Sequence, residues 1–247
     1  DIVVDLRDSA VSRLIRAEKR YIFSNHIDKS LHKVEQCAAV MSLSAPPAPT
    51  IWRSEEQRDA AKTLIPSGGP VIGVGPAANW PGKTWLTDRF IDLLEFLRSD
   101  KGILPGARVA VFAAPGEEDI AHQVLDTIPQ KARLDVIAKT DPGTAAAALA
   151  RCDFYVGNDS GLMHCAAAAG VPTVGLFGPS YPHLYRPWGP HTTYISTPET
   201  YDELTSYEGY APENVTESLM QSLTLDMVKE HCLDFWKEYK ARQDNDH

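Results

Sequence analysis

The chain has 247 residues, of which 43% are hydrophobic and 23% charged, and its formal net charge is -9. This composition is typical of a soluble globular protein with one large domain or two of ordinary size. The acidic balance argues against a nucleic-acid partner, because that binding depends on lysine and arginine. The sequence contains neither a spanning run of about eighteen apolar residues nor a basic-then-apolar leader, so we expect a cytoplasmic protein.

The first elements predicted in the chain are two strand-helix pairs followed by a proline-rich linker. Residues 44–50 contain three prolines, which cannot continue a helix and suit a stiff connection. We therefore predict one domain over residues 1–48 and a second over residues 49–247. The elements expected in the first are a strand, a helix, a strand and a helix, at 1–7, 9–20, 21–24 and 30–43.

Strand and helix patterns alternate from residue 53 to residue 180. Such alternation is typical of a parallel sheet covered on both faces, and the alanine runs suit helices packed closely on it. Thr87 is expected as the N-cap of one of these helices. Residues 181–212, rich in Pro, Tyr, His and Gly, are predicted to be irregular. Two helices are expected after them, at 213–223 and 225–243.

The four cysteines are far apart and form no C-x-x-C pair, so the sequence suggests neither a disulfide framework nor a metal site. The four are Cys37, Cys152, Cys165 and Cys232. No cofactor is indicated either.

The segment "VGNDSGLMHCAAAAG" holds a strand, a turn and the start of a helix. Asp159 or Ser160 is expected to cap this helix, which begins near Gly161. The first turn of a helix leaves backbone N–H groups unpaired and carries the positive end of the helix dipole, so an anion fits there. His164, four residues after Ser160, lies on the same face and can donate to a phosphate oxygen.

Lys83, in the loop "NWPGKTW", follows another predicted strand. A parallel sheet collects its ligand loops at the carboxyl ends of its strands, so Lys83 is expected close to Gly161. A lysine and a helix N-terminus together suit a diphosphate. Because the carboxylate of Asp159 repels phosphate, it suits a hydroxyl-rich group attached to one, and the combination describes a nucleotide sugar.

Two other interpretations of these residues stay open. A capped helix between two strands is ordinary in α/β proteins and is consistent with a purely structural role. "GNDSG" also matches the G-x-D-x-G turn of an α/β-hydrolase, with Asp159 as nucleophile and His183, His191 or His231 as its partner.

Three segments resemble the ADP-heptose:lipopolysaccharide heptosyltransferases, glycosyltransferase family 9. They are "DIVVDLR", "GPAANWPGKTW" and "VGNDSGLMHCAAAAGVPTVGLFGPS". The resemblance implies an α/β protein of GT-B type, with a Rossmann-like donor domain and an incomplete N-terminal Rossmann-like domain. It also implies an inverting transfer of a sugar, heptose, from a nucleotide sugar to a lipopolysaccharide core or related glycan, without a tightly bound metal.

Carried onto matching positions, the resemblance implies that Lys83, with Thr84 beside it, holds the donor phosphates. Asp159 would contact the sugar hydroxyls, while Ser160, Gly161 and His164 would close the pyrophosphate site.

The same resemblance places the catalytic base upstream of residue 1, because relatives supply it from a Gly-rich N-terminal loop. Two alternatives therefore accompany the transferase: a nucleotide-sugar-binding module without turnover, and the hydrolase. The lipid-linked acceptor of the family implies a protein in the cytoplasm, with possible peripheral contact at the inner face of the inner membrane.

Overall fold

The computed structural model describes residues 1–245, which form eight strands and ten α-helices. The strands are β1 (Ile2–Asp5), β2 (Lys19–Ile22), β3 (Val71–Gly75), β4 (Arg108–Ala113), β5 (Arg133–Ile137), β6 (Phe154–Asn158), β7 (Thr173–Phe177) and β8 (Thr192–Ser196). The helices are α1 (Ala10–Leu14), α2 (Lys33–Val40), α3 (Glu55–Leu64), α4 (Thr87–Leu97), α5 (Glu118–Thr127), α6 (Pro142–Leu149), α7 (Gly161–Ala168), α8 (Pro182–Tyr185), α9 (Tyr201–Thr205) and α10 (Leu225–Asn245).

Six strands form one parallel sheet in the order β5-β4-β3-β6-β7-β8. The chain runs outward from β3 to β5 in one direction and from β6 to β8 in the other. The order therefore reverses between β3 and β6, and loops that leave these two strands diverge to opposite faces. In such sheets the crevice at the reversal, outside the carboxyl ends of the strands, is where ligands bind.

Helices cover both faces of this sheet, as the alternating pattern predicted. One face packs against α4, α5 and α10 through large side chains such as Phe90, Leu93 and Phe235. The other packs against α3, α6 and α7, whose small residues, including Ala61, Ala148 and Ala166, are fully or almost fully buried. The prediction that the alanine runs pack closely on the sheet is confirmed.

Two glycines at the reversal point are required by a neighbouring tyrosine. Gly75 and Gly157 are register partners on β3 and β6. A Cβ atom on Gly75 would lie 2.2 Å from the hydroxyl of Tyr155, and one on Gly157 would lie 2.6 Å from it. Since real Cβ contacts are essentially never so short, a side chain at either position would displace the buried Tyr155 ring from the face of the sheet on which it packs.

Several predicted elements differ from the structure in position or type. Thr87 is the first residue of α4 rather than its N-cap, and the helix expected over 9–20 ends at Leu14 because β2 already begins at Lys19. Residues 181–212 are not wholly irregular, since they contain β8 and two short helices. The helix predicted over 213–223 is wrong: a 3₁₀ turn at Pro212–Asn214 leads into non-helical chain.

The helix predicted at 213–223 does not form, because its apolar residues are buried one by one from an irregular backbone and not along one face of a helix. Val215, Met220 and Leu223 are buried although the backbone around them is not helical. Freed from helix bonding, this backbone pairs with the loop after β3: Leu219 N–H donates to Gly82 O at 2.9 Å, and the Trp85 indole donates to Leu223 O at 2.8 Å. Tertiary pairing has therefore overridden a helical apolar pattern.

The first part of the chain forms a separate two-stranded parallel sheet, β1 with β2. Residues 41–54, which contain the prolines, form neither helix nor strand.

His32 joins this part to the rest of the protein. Its Nδ1 accepts from Val34 N–H at 3.2 Å, its Nε2 donates to Arg186 O at 2.9 Å, and its ring stacks on Trp188 at 4.5 Å. Burial lowers the pKa of His32, which favours the neutral ring, and its two hydrogen bonds are those of the Nε2–H tautomer. The predicted boundary at residue 48 stays a prediction.

One buried amide ties the loop after β3 to the end of β6. Asn158 is fully buried; its Oδ1 accepts from Trp85 N–H at 2.9 Å, and its Nδ2 donates to Pro76 O at 2.9 Å. The loop that carries Lys83 lies between these two anchor points. Its position relative to β6 is therefore set by hydrogen bonds that water does not reach.

None of the helices within residues 1–245 combines the length and the apolar character needed to cross a bilayer.

We predict that Asn158→Ala lowers the free energy of unfolding by about 2–4 kcal/mol, because it leaves the buried Trp85 N–H and Pro76 C=O unpaired. Urea denaturation followed by tryptophan fluorescence and circular dichroism measures this change. Asn214→Ala is the matched control, since Asn214 is exposed and is expected to change stability by no more than about 0.5 kcal/mol. Equal midpoints for the two variants would contradict the anchoring role of Asn158.

Candidate functional site

The lysine loop leaves the carboxyl end of β3 and is shaped by a 3₁₀ turn at Pro81–Lys83. Gly82 within it is buried, and a Cβ atom there would lie 2.7 Å from the ring of Trp80. The Trp80 indole donates to Pro212 O at 2.9 Å, so the ring is held against the turn. Only glycine lets the loop fold under this ring and present Lys83 toward β6.

The helix that follows β6 begins without a side-chain cap. Ser160 occupies the N-cap position with extended backbone, but its side chain makes no capping hydrogen bond. The N–H groups of Gly161, Leu162 and Met163 have no protein acceptor among the hydrogen bonds of residues 1–245. Ser160 Oγ is buried beside the hydroxyl of Tyr155 and is turned away from solvent. The start of α7 therefore carries three backbone N–H groups without a protein acceptor, where an anion can bind.

A cavity of about 650 Å³ opens between the lysine loop and the start of α7. Lys83, Asp159, Ser160, Gly161 and His164 all line it. A Cβ atom on Gly161 would meet nothing within 4 Å, so the space in front of this first turn is free. The structure thus brings together five of the six site residues that the sequence predicted.

Thr84, the sixth, is not brought into this cavity. It is buried, and its hydroxyl donates to Trp80 O at 3.2 Å, which stabilises the turn instead of facing the open space.

Lys83 and Asp159 form a largely shielded ion pair. Lys83 Nζ lies 3.6 Å from Asp159 Oδ2, and the two side chains are only 20% and 11% exposed. The same Oδ2 accepts from Ser180 Oγ at 2.7 Å, whereas Asp159 Oδ1 has no donor among the described residues. Asp159 Oδ1 and part of the Lys83 ammonium group therefore remain able to bind other partners.

His164 is a neutral donor at the edge of this site. Its ring is exposed to the cleft, but the walls of the cleft displace water around it, and this desolvation lowers its pKa. The carboxylate of Asp159 opposes the shift, while His32 and Lys83 add to it. An anion bound beside the ring would reverse the balance and favour the imidazolium form.

Further cavity residues were missed by the sequence analysis. They are Asn79, Trp80, Glu117, Pro179, Ser180, Tyr185, Tyr201, Tyr210 and Pro212. Glu117 could have been found, because it follows β4 at the same edge of the sheet. The tyrosines come from the segment that was expected to be irregular. Burial, with Tyr201 as neighbour, raises the pKa of Tyr210 to about 12.

The hydrolase arrangement is not found around Asp159. None of His183, His191 and His231 lines the cavity. His231 instead contacts Thr193 Oγ1 at 3.1 Å, and His191 packs edge-on against Tyr239.

Comparison with known proteins agrees with this geometry. The model of glycosyltransferase family 9 (heptosyltransferase) matches residues 10–210. Lipooligosaccharide heptosyltransferase 2 of Haemophilus influenzae is 32% identical over 152 residues, which are 60% of this chain and 41% of that protein. The chain spans about half or less of the length of the curated relatives it matches.

Solved structures show the same fold. A family 9 glycosyl transferase from Veillonella parvula superposes with a TM-score of 0.77 at 23% identity, covering 96% of this chain and 74% of that one. ADP-heptose LPS heptosyltransferase II of Escherichia coli gives 0.66 at 22% identity, covering 89% and 66%. The predicted α/β fold of GT-B type is confirmed, and the chain belongs to glycosyltransferase family 9, the heptosyltransferases.

Proposed function

We propose that this chain carries the donor site of an inverting glycosyltransferase that moves a sugar, heptose, from an ADP-heptose-type donor to a lipopolysaccharide core or related glycan. One observation carries the proposal: the Lys83 ammonium group and the uncapped start of α7 line one cavity. Together they supply the charge and the donors that a diphosphate needs. The names of the Haemophilus and Escherichia relatives support the choice of heptose and of ADP.

Departure of the diphosphate is the step that these groups assist. As the bond between the sugar and the diphosphate breaks, negative charge grows on the leaving oxygen. Donors that are already oriented stabilise that charge without reorganising, which is commonly the largest catalytic contribution. Lys83, the α7 N–H groups and His164 have this role in the proposal.

Asp159 is proposed to hold the sugar. A carboxylate next to a diphosphate is unfavourable unless a cation offsets it, and Lys83 at 3.6 Å does so. The unpaired Oδ1 can then accept a hydrogen bond from a sugar hydroxyl close to the phosphate. A simple anion such as phosphate alone would gain nothing from this oxygen.

The acceptor is proposed to bind on the side of residues 1–48, as the predicted domain division implies. A second cavity, of about 810 Å³, is lined there by Arg7, Lys29 and Lys33, and its wall includes Tyr185, which also lines the donor cavity. The shared tyrosine makes the two cavities neighbours. The three cations outnumber the single carboxylate, Asp8, in the wall of the second cavity, which suits an anionic glycan. We place the enzyme in the cytoplasm, where this acceptor would be reached at the inner face of the inner membrane.

We predict that Lys83→Ala weakens ADP binding by about ten- to a hundred-fold, because a charge-assisted contact to phosphate is lost. Isothermal titration calorimetry of the chain with ADP, UDP and GDP measures affinity and base preference. Lys62→Ala is the control, since Lys62 pairs with Asp59 on the exposed face of α3. Unchanged affinity in Lys83→Ala would remove Lys83 from the donor site.

We predict that ADP binds more tightly as the pH falls from about 8 to about 6, because the bound diphosphate raises the lowered pKa of His164 and binding takes up a proton. Below the pKa of the free protein the gain levels off, since the ring is then protonated before binding. Calorimetry at several pH values, compared with His164→Gln, isolates the effect, because protonation of ADP itself is common to both proteins. Parallel pH profiles for the two proteins would show that His164 does not sense the diphosphate.

We predict that the chain binds ADP-heptose and that Asp159→Asn binds ADP with affinity within a few-fold of the unaltered chain while losing preference for the sugar nucleotide. The physical reason is that the amide cannot offer the same charged acceptor to the sugar hydroxyl. Competition between ADP and ADP-heptose measures the preference. Release of ADP in the presence of a lipopolysaccharide-core acceptor separates a transferase from a module that binds without turnover.

A further inference from the structure

The amino ends of the strands carry a second polar cavity, on the opposite edge of the sheet from the donor site. Its volume is about 310 Å³. Its walls are the loop 66–70, which enters β3, together with Arg108 at the first position of β4 and Arg151 just before β6. Nothing in the proposed donor chemistry uses these residues.

Both arginines are fixed on the same short loop. Arg151 Nε donates to Ile65 O at 2.6 Å, and its Nη2 donates to Ser67 Oγ at 3.4 Å. Arg108 Nη2 donates to Gly69 O at 3.3 Å. These contacts orient the two guanidinium groups but leave several of their N–H groups without a protein acceptor.

One of the remaining donors is buried. Arg108 Nε is shielded from solvent and has no hydrogen-bond partner. A guanidinium group stays protonated in proteins, so Nε keeps its hydrogen and remains a hydrogen-bond donor. Because Nε is out of reach from the cavity, an anion there would meet the Arg108 guanidinium group through Nη1, which is neither buried nor paired among the described residues.

The loop adds backbone donors to the two side chains. The N–H groups of Ser67, Gly68 and Gly69 donate no hydrogen bond within residues 1–245. Gly68 and Gly69 have φ values of 134° and 76°, and a Cβ atom on either would meet nothing within 4 Å. No side chain covers the backbone at these two positions, so its unpaired N–H groups are accessible to a small anion.

The positive charge of this cavity is not neutralised from nearby. Within residues 1–245, no carboxylate lies within 4.0 Å of either guanidinium group. The carboxylate of Asp153, two residues after Arg151, accepts instead from Val71 N–H at 2.8 Å. Two half-buried cations thus share one cavity without a counter-ion.

We propose that Arg108, Arg151 and the loop 66–70 form a second binding site, which takes a phosphate group. Arginine forks match the geometry of phosphate oxygens, and backbone N–H groups complete the shell. The cavity is at the small end of the range for ligand sites, so the group it holds is inorganic phosphate, a small phosphorylated molecule or a phosphate headgroup. This proposal does not depend on the proposed function.

Amide chemical shifts test the site directly. We expect the ¹⁵N-¹H signals of Ser67, Gly68 and Gly69 to shift saturably when inorganic phosphate is added at constant ionic strength. The shifts should persist in Lys83→Ala, which separates them from phosphate entering the donor site. In Arg108→Gln the affinity should fall about ten-fold or more, because a charge-assisted contact is lost.

Arg133→Gln is the matched control. Arg133 also begins a strand at this edge of the sheet, but it pairs with Asp126 and lies outside the cavity. Arg151→Gln is a second variant, and the titration of the unaltered chain decides the question even if that variant does not fold. Absence of saturable shifts, equal shifts with chloride, or equal affinity in Arg108→Gln and Arg133→Gln would overturn the proposal.

Vesicles identify the source of the phosphate. Cosedimentation with phosphatidylcholine vesicles containing phosphatidic acid, lost in Arg108→Gln, would support a lipid headgroup. Saturable shifts with inorganic phosphate but no cosedimentation would support a free phosphorylated molecule.

Discussion

The hydrogen bonds of Asn158 are the constraint on which the candidate site depends. A parallel sheet places the ends of β3 and β6 side by side, but it does not decide where the loop of residues 76–86, beyond β3, will lie. Asn158 decides this by accepting from Trp85 and donating to Pro76, one on each side of Lys83. Because the amide is fully buried, both bonds must be made together, and the lysine is held close to the helix start after β6.

The charges of the site are balanced before any ligand enters. Lys83 near the positive end of α7 would be unfavourable without a counter-charge, and Asp159 supplies it from the turn between β6 and α7. Asp159 is in turn held by Ser180 after β7. Three neighbouring parts of the sheet edge, after β3, β6 and β7, thus contribute one group each to this pair and its support.

The sequence predicted the sheet and the site better than it predicted residues 181–223, which pack around the site. β3 and β6 are short apolar runs that are easily recognised as strands. Lys83 and Ser160 follow them in short loops, so they could be assigned to the carboxyl edge of the sheet. Asn158 could not be recognised, since an asparagine at the end of a strand is usual whether or not its amide bridges two loops. β8 was missed because this edge strand, only half-buried, lies in a segment rich in proline and glycine. The carbonyl of Leu223, which accepts from Trp85, belongs to a stretch whose apolar spacing suggested a helix.

Fold alone would not identify what the cavity holds, since parallel α/β sheets bind many ligands at the same edge. The discriminating features are chemical. An uncapped helix start and a lysine would accept any phosphate, whereas the free oxygen of Asp159 disfavours an anion that brings only negative charge. Under the proposed function, a hydroxyl-bearing sugar joined directly to its diphosphate would bind all of these groups together.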